Sequence, residues 1–173
     1  MSRTGVVTFA GGPLTLAGEG LSAGQQAPGF VLHYFEDGMQ TITLEDLKGK
    51  PSIVSVVPSL DTPVCAVQTR RFNEELASLG DGVNALTVSC DLPFAMARFC
   101  GSEGIANMRT GSDYQDRRFG EDWGLTIEEL KILTRAVFVL DADGRIVYSQ
   151  VVPEVTDEPD YDGALGALRE LSA

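Results

Sequence analysis

Histidine occurs once in the 173 residues, as His33, and cysteine three times, as Cys65, Cys90 and Cys100. No C-x-x-C pair is present, so the chain lacks the number and spacing of soft ligands that a closed Cys/His zinc site needs. His33 sits in VLHYF with no catalytic context, which leaves a Cys–His protease without its base and makes this histidine structural. Positive charge is scarce too: 13 Lys and Arg stand against 25 Asp and Glu, a formal net charge of −12. Nucleic acids and anionic membrane faces attract Lys/Arg clusters, so neither is an expected partner. No apolar run approaches the ~18 residues of a membrane span. The opening MSRTGVVTFAGG has neither the apolar region nor the small-residue cleavage site of an export signal, and a soluble cytoplasmic protein is expected. No G-x-G-x-x-G or phosphate loop follows a strand, which removes support for nucleotide binding. No repeat, low-complexity tract or linker divides the chain, so residues 1–173 read as a single domain with one core.

The hydrophobic pattern places the elements. VVTF and LTLA alternate on either side of Gly11, Gly12 and Pro13, a β-hairpin signature. Ile53, Val54, Val56 and Val57 form a buried strand, an amphipathic helix follows, and a second apolar run spans Val83 to Val88. Strand, helix and strand at this spacing predict a parallel crossover. Ala136–Leu140 and Ile146–Val152 flank Asp141-Ala142-Asp143-Gly144, an antiparallel pair, and Leu165, Leu168 and Leu171 recur at helical intervals in a closing helix. Together these elements fit an α/β thioredoxin-like sandwich carrying an N-terminal β-hairpin.

Chemistry concentrates in PSLDTPVC, residues 58–65, between the strand and the helix. With Thr62 as N-cap, Pro63 takes the first helical position, where its missing N–H is no loss, and Cys65 takes the third. In a capping box that third position holds Glu or Gln, a side chain that reaches back to the cap. A thiol there faces unpaired N–H groups and the positive helix end, both of which favour a thiolate. Cysteine is also a common small apolar core residue, and the helix-start pattern by itself leaves that reading open.

The motif P-x-x-x-T-x-x-C, supplied by Pro58, Thr62 and Cys65, resembles the active-site signature of the peroxiredoxins. PSLDTPVC together with SCDLPFAMARFC is similar to the thiol peroxidase subgroup, atypical two-cysteine peroxiredoxins. The likeness runs from VTFAGGPLTL through TRAVFVLD to VTDEPDY, nearly the whole chain. Two departures are visible: Gly29 stands where an acidic residue is common, and Cys90 is an additional thiol.

The resemblance implies a peroxidase that reduces hydrogen peroxide or alkyl hydroperoxides, works as a homodimer without metal or organic cofactor, and is recycled by thioredoxin. Cys65 would attack the outer peroxide oxygen and become a sulfenic acid. Cys100, in the RFC motif, would resolve it as an intrachain disulfide, which protects against further oxidation. Arg135 would stabilise the thiolate and transition state, Thr62 would hydrogen-bond the thiolate or peroxide, and Pro58 would limit water access. Arg70 and Arg71, five and six positions past Cys65, do not lie above it on a helix. Leu60, Phe94 and Met96 would offer apolar surface to organic hydroperoxides. Around Cys100 the sequence predicts a short helix capped by Asp91 and ended by Gly101 and Gly104. Because a disulfide holds Cα atoms within roughly 4.4–6.8 Å, and each cysteine begins on its own helix, both segments are expected to loosen in turnover. Cys90 is expected to be a buried or incidental thiol rather than an alternative resolver. A thiol redox sensor, in which the same disulfide switches partner binding, is the alternative function.

Overall fold

Ser52–Val56 is buried at every residue, so it has no face to offer water and takes a central place in a sheet. The computed structural model describes all 173 residues. From the N-terminus its elements are β1 (Ser2–Phe9), β2 (Gly12–Ala17), β3 (Val31–Phe35), β4 (Met39–Thr43), β5 (Ser52–Val56), α1 (Pro63–Leu76), β6 (Asn84–Ser89), α2 (Pro93–Glu103), β7 (Arg109–Ser112), α3 (Arg118–Asp122), β8 (Thr126–Ile127), β9 (Ile132–Leu133), β10 (Ala136–Leu140), β11 (Ile146–Val151) and α4 (Tyr161–Ser172). A seven-stranded sheet has the order β11-β10-β5-β6-β7-β3-β4, and a four-stranded sheet the order β1-β2-β8-β9.

In the large sheet β5, β6 and β7 are parallel, and the crossover from β5 to β6 runs through α1 as the pattern predicts. β10 then pairs antiparallel with both β5 and β11. Alternation along the strands separates two cores. Val54, Val56, Leu86, Val88 and Phe138 face Trp123 and Phe119 on one side. On the other, Ile53, Ala85, Val137 and Val139 face Phe72 and Leu76 of α1 and Leu165 and Leu168 of α4. This is the thioredoxin-like sandwich. No helix is long and apolar enough to cross a membrane.

The N-terminal hairpin is present, with Ala10 and Gly11 at φ 49° and 83° in its tight turn. It packs on the end of the sandwich through Val7, Leu16 and Ile127, which enclose Val155. The bonds Thr8 N–H to Pro153 O and Val155 N–H to Thr8 O, each 2.8 Å, fasten the segment after β11 to β1. His33 lies in β3 edge-on to Tyr114, with ring centroids 5.7 Å apart.

Asp113, nearly inaccessible after β7, accepts hydrogen bonds from the backbone N–H groups of Phe119 and Gly120 at the start of α3. Burial pushes its carboxyl from the ordinary 3.8 up to about 6, outweighing those bonds. Between those two values the unfolded chain has released this proton and the folded chain retains it. The contribution of Asp113 to stability is therefore greatest below the lower value, declines as pH rises, and levels off above the upper one. Urea denaturation of wild type and Asp113→Asn should show wild type losing stability relative to the variant as pH rises from about 3.8 to about 6. A pH-independent gap would show that Asp113 keeps its ordinary titration in the fold.

Candidate active site

β5 delivers the chain to buried Val57 and Pro58, and a turn over Ser59–Thr62 enters α1. Thr62 is extended (φ −125°, ψ 150°), Pro63 follows at the first helical position, and Cys65 at the third, as the spacing predicts. The Thr62 hydroxyl departs from expectation. It donates to the carbonyl of Ser59 at 2.9 Å instead of capping a helix N–H, and it makes no bond to the Cys65 sulfur in this state. A local turn bond has outcompeted the cap. The inward stripe of α1 is Cys65, Gln68, Thr69, Phe72 and Leu76: polar chemistry at the N-terminal end and hydrophobic core at the other.

Cys65 is 0% exposed, packed with Val57, Leu60 and Met96 and bordered by Phe99. Arg135 Nη2 donates to its Sγ at 3.3 Å. Arg135 is only 2% exposed, and its other hydrogen bonds go to neutral oxygens: Nη1 to Gln68 Oε1 at 2.8 Å and Nε to the Val155 carbonyl at 2.9 Å. None of the ion pairs in the molecule involves it. An unpaired buried cation costs several kcal/mol, and of the three hydrogen-bond partners of this guanidinium only the Cys65 sulfur is an ionisable group.

The guanidinium is held from three directions. Gln68, one turn past Cys65, is fixed by donating Nε2–H to Ser55 Oγ at 2.8 Å, on the β5 residue that points toward α1. Arg135 itself precedes β10, and its carbonyl accepts from Val152 N–H. The Val155 carbonyl is positioned by the β1 ladder and by Glu154, whose carboxylate collects Thr8 Oγ1, the N–H groups of Ala10 and Gly11, and Thr156. Those bonds, Thr156 first, hold the Glu154 carboxyl well below its usual range. Gln68, Val155 and Glu154 were absent from the sequence reading. Gln68 alone carried a local signal, a polar side chain three residues past Cys65 on an inward stripe.

The other expected residues fall as follows. Pro58 is buried beneath the turn. Cys100 lies on α2, half-buried against the core formed by α1 and α4, and burial pushes its thiol up to about 11. Cys65 and Cys100 belong to different packing clusters, and all three cysteines are free thiols. Cys90 is half-buried against the opposite core, with its thiol also pushed up to about 11, mainly by burial and then by Asp113. Arg70 pairs with Glu103 and Arg71 lies over the Tyr161 ring, so neither serves the sulfur.

Three expectations need correction. Leu92, not Asp91, is the cap residue of α2; the Asp91 carboxylate has tertiary partners instead. α2 continues through Gly101 and ends at Gly104 alone, left-handed at φ 66°. Leu60 and Met96 belong to the sulfur's cluster, but Phe94 is exposed and packs against Phe35 with tilted rings, centroids 5.1 Å apart.

A cysteine at a helix start, buried against a guanidinium with no carboxylate, on a thioredoxin-like sheet, defines a thiol-based oxidoreductase. The redoxin family model matches residues 22–165. A thiol peroxidase of Bacillus subtilis is 50% identical over 165 residues, covering 95% of this chain and 97% of that one. A peroxiredoxin-like protein from Aquifex aeolicus superposes with a TM-score of 0.88 at 41% identity, covering 98% and 97% of the two chains. A thiol peroxidase from Chromobacterium violaceum shares the fold, with a TM-score of 0.84 at 22% identity over 95% of each chain. The chain belongs to the redoxin family, among its peroxiredoxins of the thiol peroxidase type.

Arg135→Gln should lower the second-order rate of Cys65 oxidation by about 10²–10³-fold, the usual loss on deleting one preorganised charge-stabilising donor. Arg135→Lys, which keeps charge but loses the fork, should fall between. Stopped-flow oxidation by hydrogen peroxide tests this; a loss under about threefold (~0.7 kcal/mol) would remove Arg135 from the reaction.

Proposed function

We propose that this thiol peroxidase reduces hydrogen peroxide and alkyl hydroperoxides through Cys65 as peroxidatic nucleophile and Cys100 as resolving thiol, with thioredoxin restoring both. The observation that carries the reading is the Arg135 contact to a fully buried Cys65 sulfur with no competing carboxylate.

In the first step the Cys65 thiolate attacks the outer peroxide oxygen. An S–O bond forms, the O–O bond breaks, the leaving oxygen takes a proton as water or alcohol, and the sulfur is oxidised by two electrons to a sulfenic acid. Negative charge moves from sulfur toward the oxygens along this path, and Arg135 is placed to follow it. Thr62, whose hydroxyl donates its proton to Ser59, keeps acceptor capacity for a peroxide O–H. Pro58, buried below the turn, keeps water from the sulfur.

In the second step Cys100 attacks the sulfenic sulfur, an S–S bond forms, and the hydroxyl leaves as water. Burial disfavours the Cys100 thiolate in the closed fold, and leaving its core returns the thiol toward an ordinary value. Each cysteine sits inside a helix and faces its own cluster, so loosening of α1 and α2 precedes bond formation. A disulfide closing the loop between positions 65 and 100 constrains the unfolded chain by roughly 3–4 kcal/mol. Broken helical packing opposes that gain and keeps the bond within reach of a dithiol such as thioredoxin. The cytoplasm, where such reductants act, is the proposed setting.

Residues 1–173 act as one domain in this reading, because the hairpin sheet and the large sheet both contribute to the cradle of Arg135. A homodimer accounts for the exposed apolar residues Phe35, Met39, Leu92 and Phe94, of which Phe35 and Phe94 pack ring against ring.

Cys65→Ser should abolish peroxide consumption. Cys100→Ser should consume about one equivalent through sulfenic acid and then stop with thioredoxin. Cys90→Ser should turn over as wild type. Peroxide assays with disulfide mapping after one equivalent of oxidant decide the matter. Retained turnover in Cys65→Ser would reject the nucleophile, and a Cys65–Cys90 linkage would reject the resolver.

A further inference from the structure

The carboxylate of Asp91, displaced from the capping role its position suggests, makes the direct side-chain link between the loop that precedes Cys65 and the segment that leads to Cys100. Its Oδ1 accepts from Ser59 Oγ at 2.7 Å, and its Oδ2 from Leu60 N–H at 2.7 Å. Oδ2 also accepts from Ser89 Oγ at 2.8 Å, while Asp91 N–H donates back to Ser89 Oγ at 3.1 Å. The Asp91 carbonyl accepts from Ser112 Oγ. Ser89 and Ser112 are register partners on β6 and β7, so Asp91 is anchored to the rigid centre of the sheet and reaches from there to the turn. Ser59 relays the hold: its Oγ accepts from Asp61 N–H and its carbonyl accepts from the Thr62 hydroxyl. Asp91, Ser59 and Leu60 also line a cleft of about 650 Å³ together with Phe94, Arg98 and Phe99 of α2.

We propose that Asp91 is a positioning residue, a latch that holds the Ser59–Thr62 turn closed over Cys65 and whose release sets the rate at which the sulfenic acid reaches Cys100. The proposal rests on the reading of Cys65 and Cys100 given above. The chemistry is the same condensation: S–S formation, S–O cleavage and loss of water, with no additional reactant. The latch acts on the conformational step before it. Two charge-assisted bonds from one carboxylate to the turn favour the closed state, in which Arg135 faces the sulfur. Resolution proceeds only from the open fraction, whereas peroxide reacts with the closed fraction, which is near unity. Weakening the latch therefore multiplies the resolution rate and scarcely lowers the peroxide rate.

Rapid-quench mass spectrometry of wild type, Asp91→Asn, Asp91→Ala and Ser59→Ala, treated with hydrogen peroxide, gives both rates. The Asp91 variants should resolve about tenfold faster, a shift equivalent to the loss of roughly one charged hydrogen bond, with peroxide oxidation slowed by about twofold or less. Asn, which retains one acceptor, should fall short of Ala, and Ser59→Ala, which removes one of the two Asp91 bonds to the turn together with the Asp61 N–H contact but leaves the Leu60 bond and the sheet anchor, should give a smaller rise. Overoxidation to sulfinic acid at high peroxide should drop in proportion, because it competes with resolution. Resolution rates unchanged in all three variants, or both rates falling together as from general damage, would overturn the latch. Failure of the underlying reading shows separately, as wild type lacking a Cys65–Cys100 disulfide, and removes the latch with it.

Discussion

A guanidinium buried without a carboxylate is the constraint on which the site depends. Arg135 remains charged in any protein interior, and its partners other than the Cys65 sulfur are neutral oxygens of Gln68 and Val155. Those dipoles orient the cation but cannot neutralise it. In the proposed reaction a Cys65 thiolate supplies the counter-charge, and the start of helix α1 presents its positive end to the same sulfur. Burial pushes the Cys90 and Cys100 thiols up, and at Cys90 the nearby Arg117 guanidinium does not offset it. Of the three cysteines, Cys65 alone has a guanidinium donating to its sulfur.

The scaffold places that pair from widely separated segments. β5 ends beneath the turn and supplies Ser55 to hold Gln68, β10 begins just past Arg135, and the N-terminal hairpin fixes the Val155 carbonyl through Thr8 and Glu154. The hairpin, which looks like an appendage in the strand order, therefore belongs to the support of the active site. On the other side Asp91 joins the turn to β6 and β7. Rigid strands meet a helix start whose polar end is held by a small number of replaceable side-chain bonds. That suits the proposed cycle, precise during oxidation and open during resolution.

What could be read from the sequence was what is written locally. Thr62-Pro63 before an amphipathic stretch defines a helix start, and the placement of Cys65 at its third position followed from that. The β5–α1–β6 crossover, the two hairpins and α4 followed from period and turn residues. Arg135 was legible only by resemblance, because it lies 70 positions from the sulfur it touches. Its holders Gln68 and Val155 are 67 and 20 positions away from it, and nothing local announces such contacts. Asp91 shows the converse. Asp before Leu-Pro looks like a cap, but Ser59 and Leu60, more than 30 positions upstream, compete for the same oxygens and win, because a two-bond tertiary contact outweighs one cap bond. Thr62 likewise has the right position and a different hydrogen bond.

The proposed peroxide chemistry needs a Cys65 thiolate beside the Arg135 guanidinium. Ultraviolet thiolate absorbance of the reduced protein at neutral pH, measured beside Cys65→Ser and Arg135→Gln, reads that charge directly, since burial keeps Cys90 and Cys100 protonated there. The expected result is a thiolate band in wild type that both substitutions remove. Equal absorbance in wild type and Cys65→Ser would show the sulfur protonated beside the buried cation, and would contradict the central role of this pair.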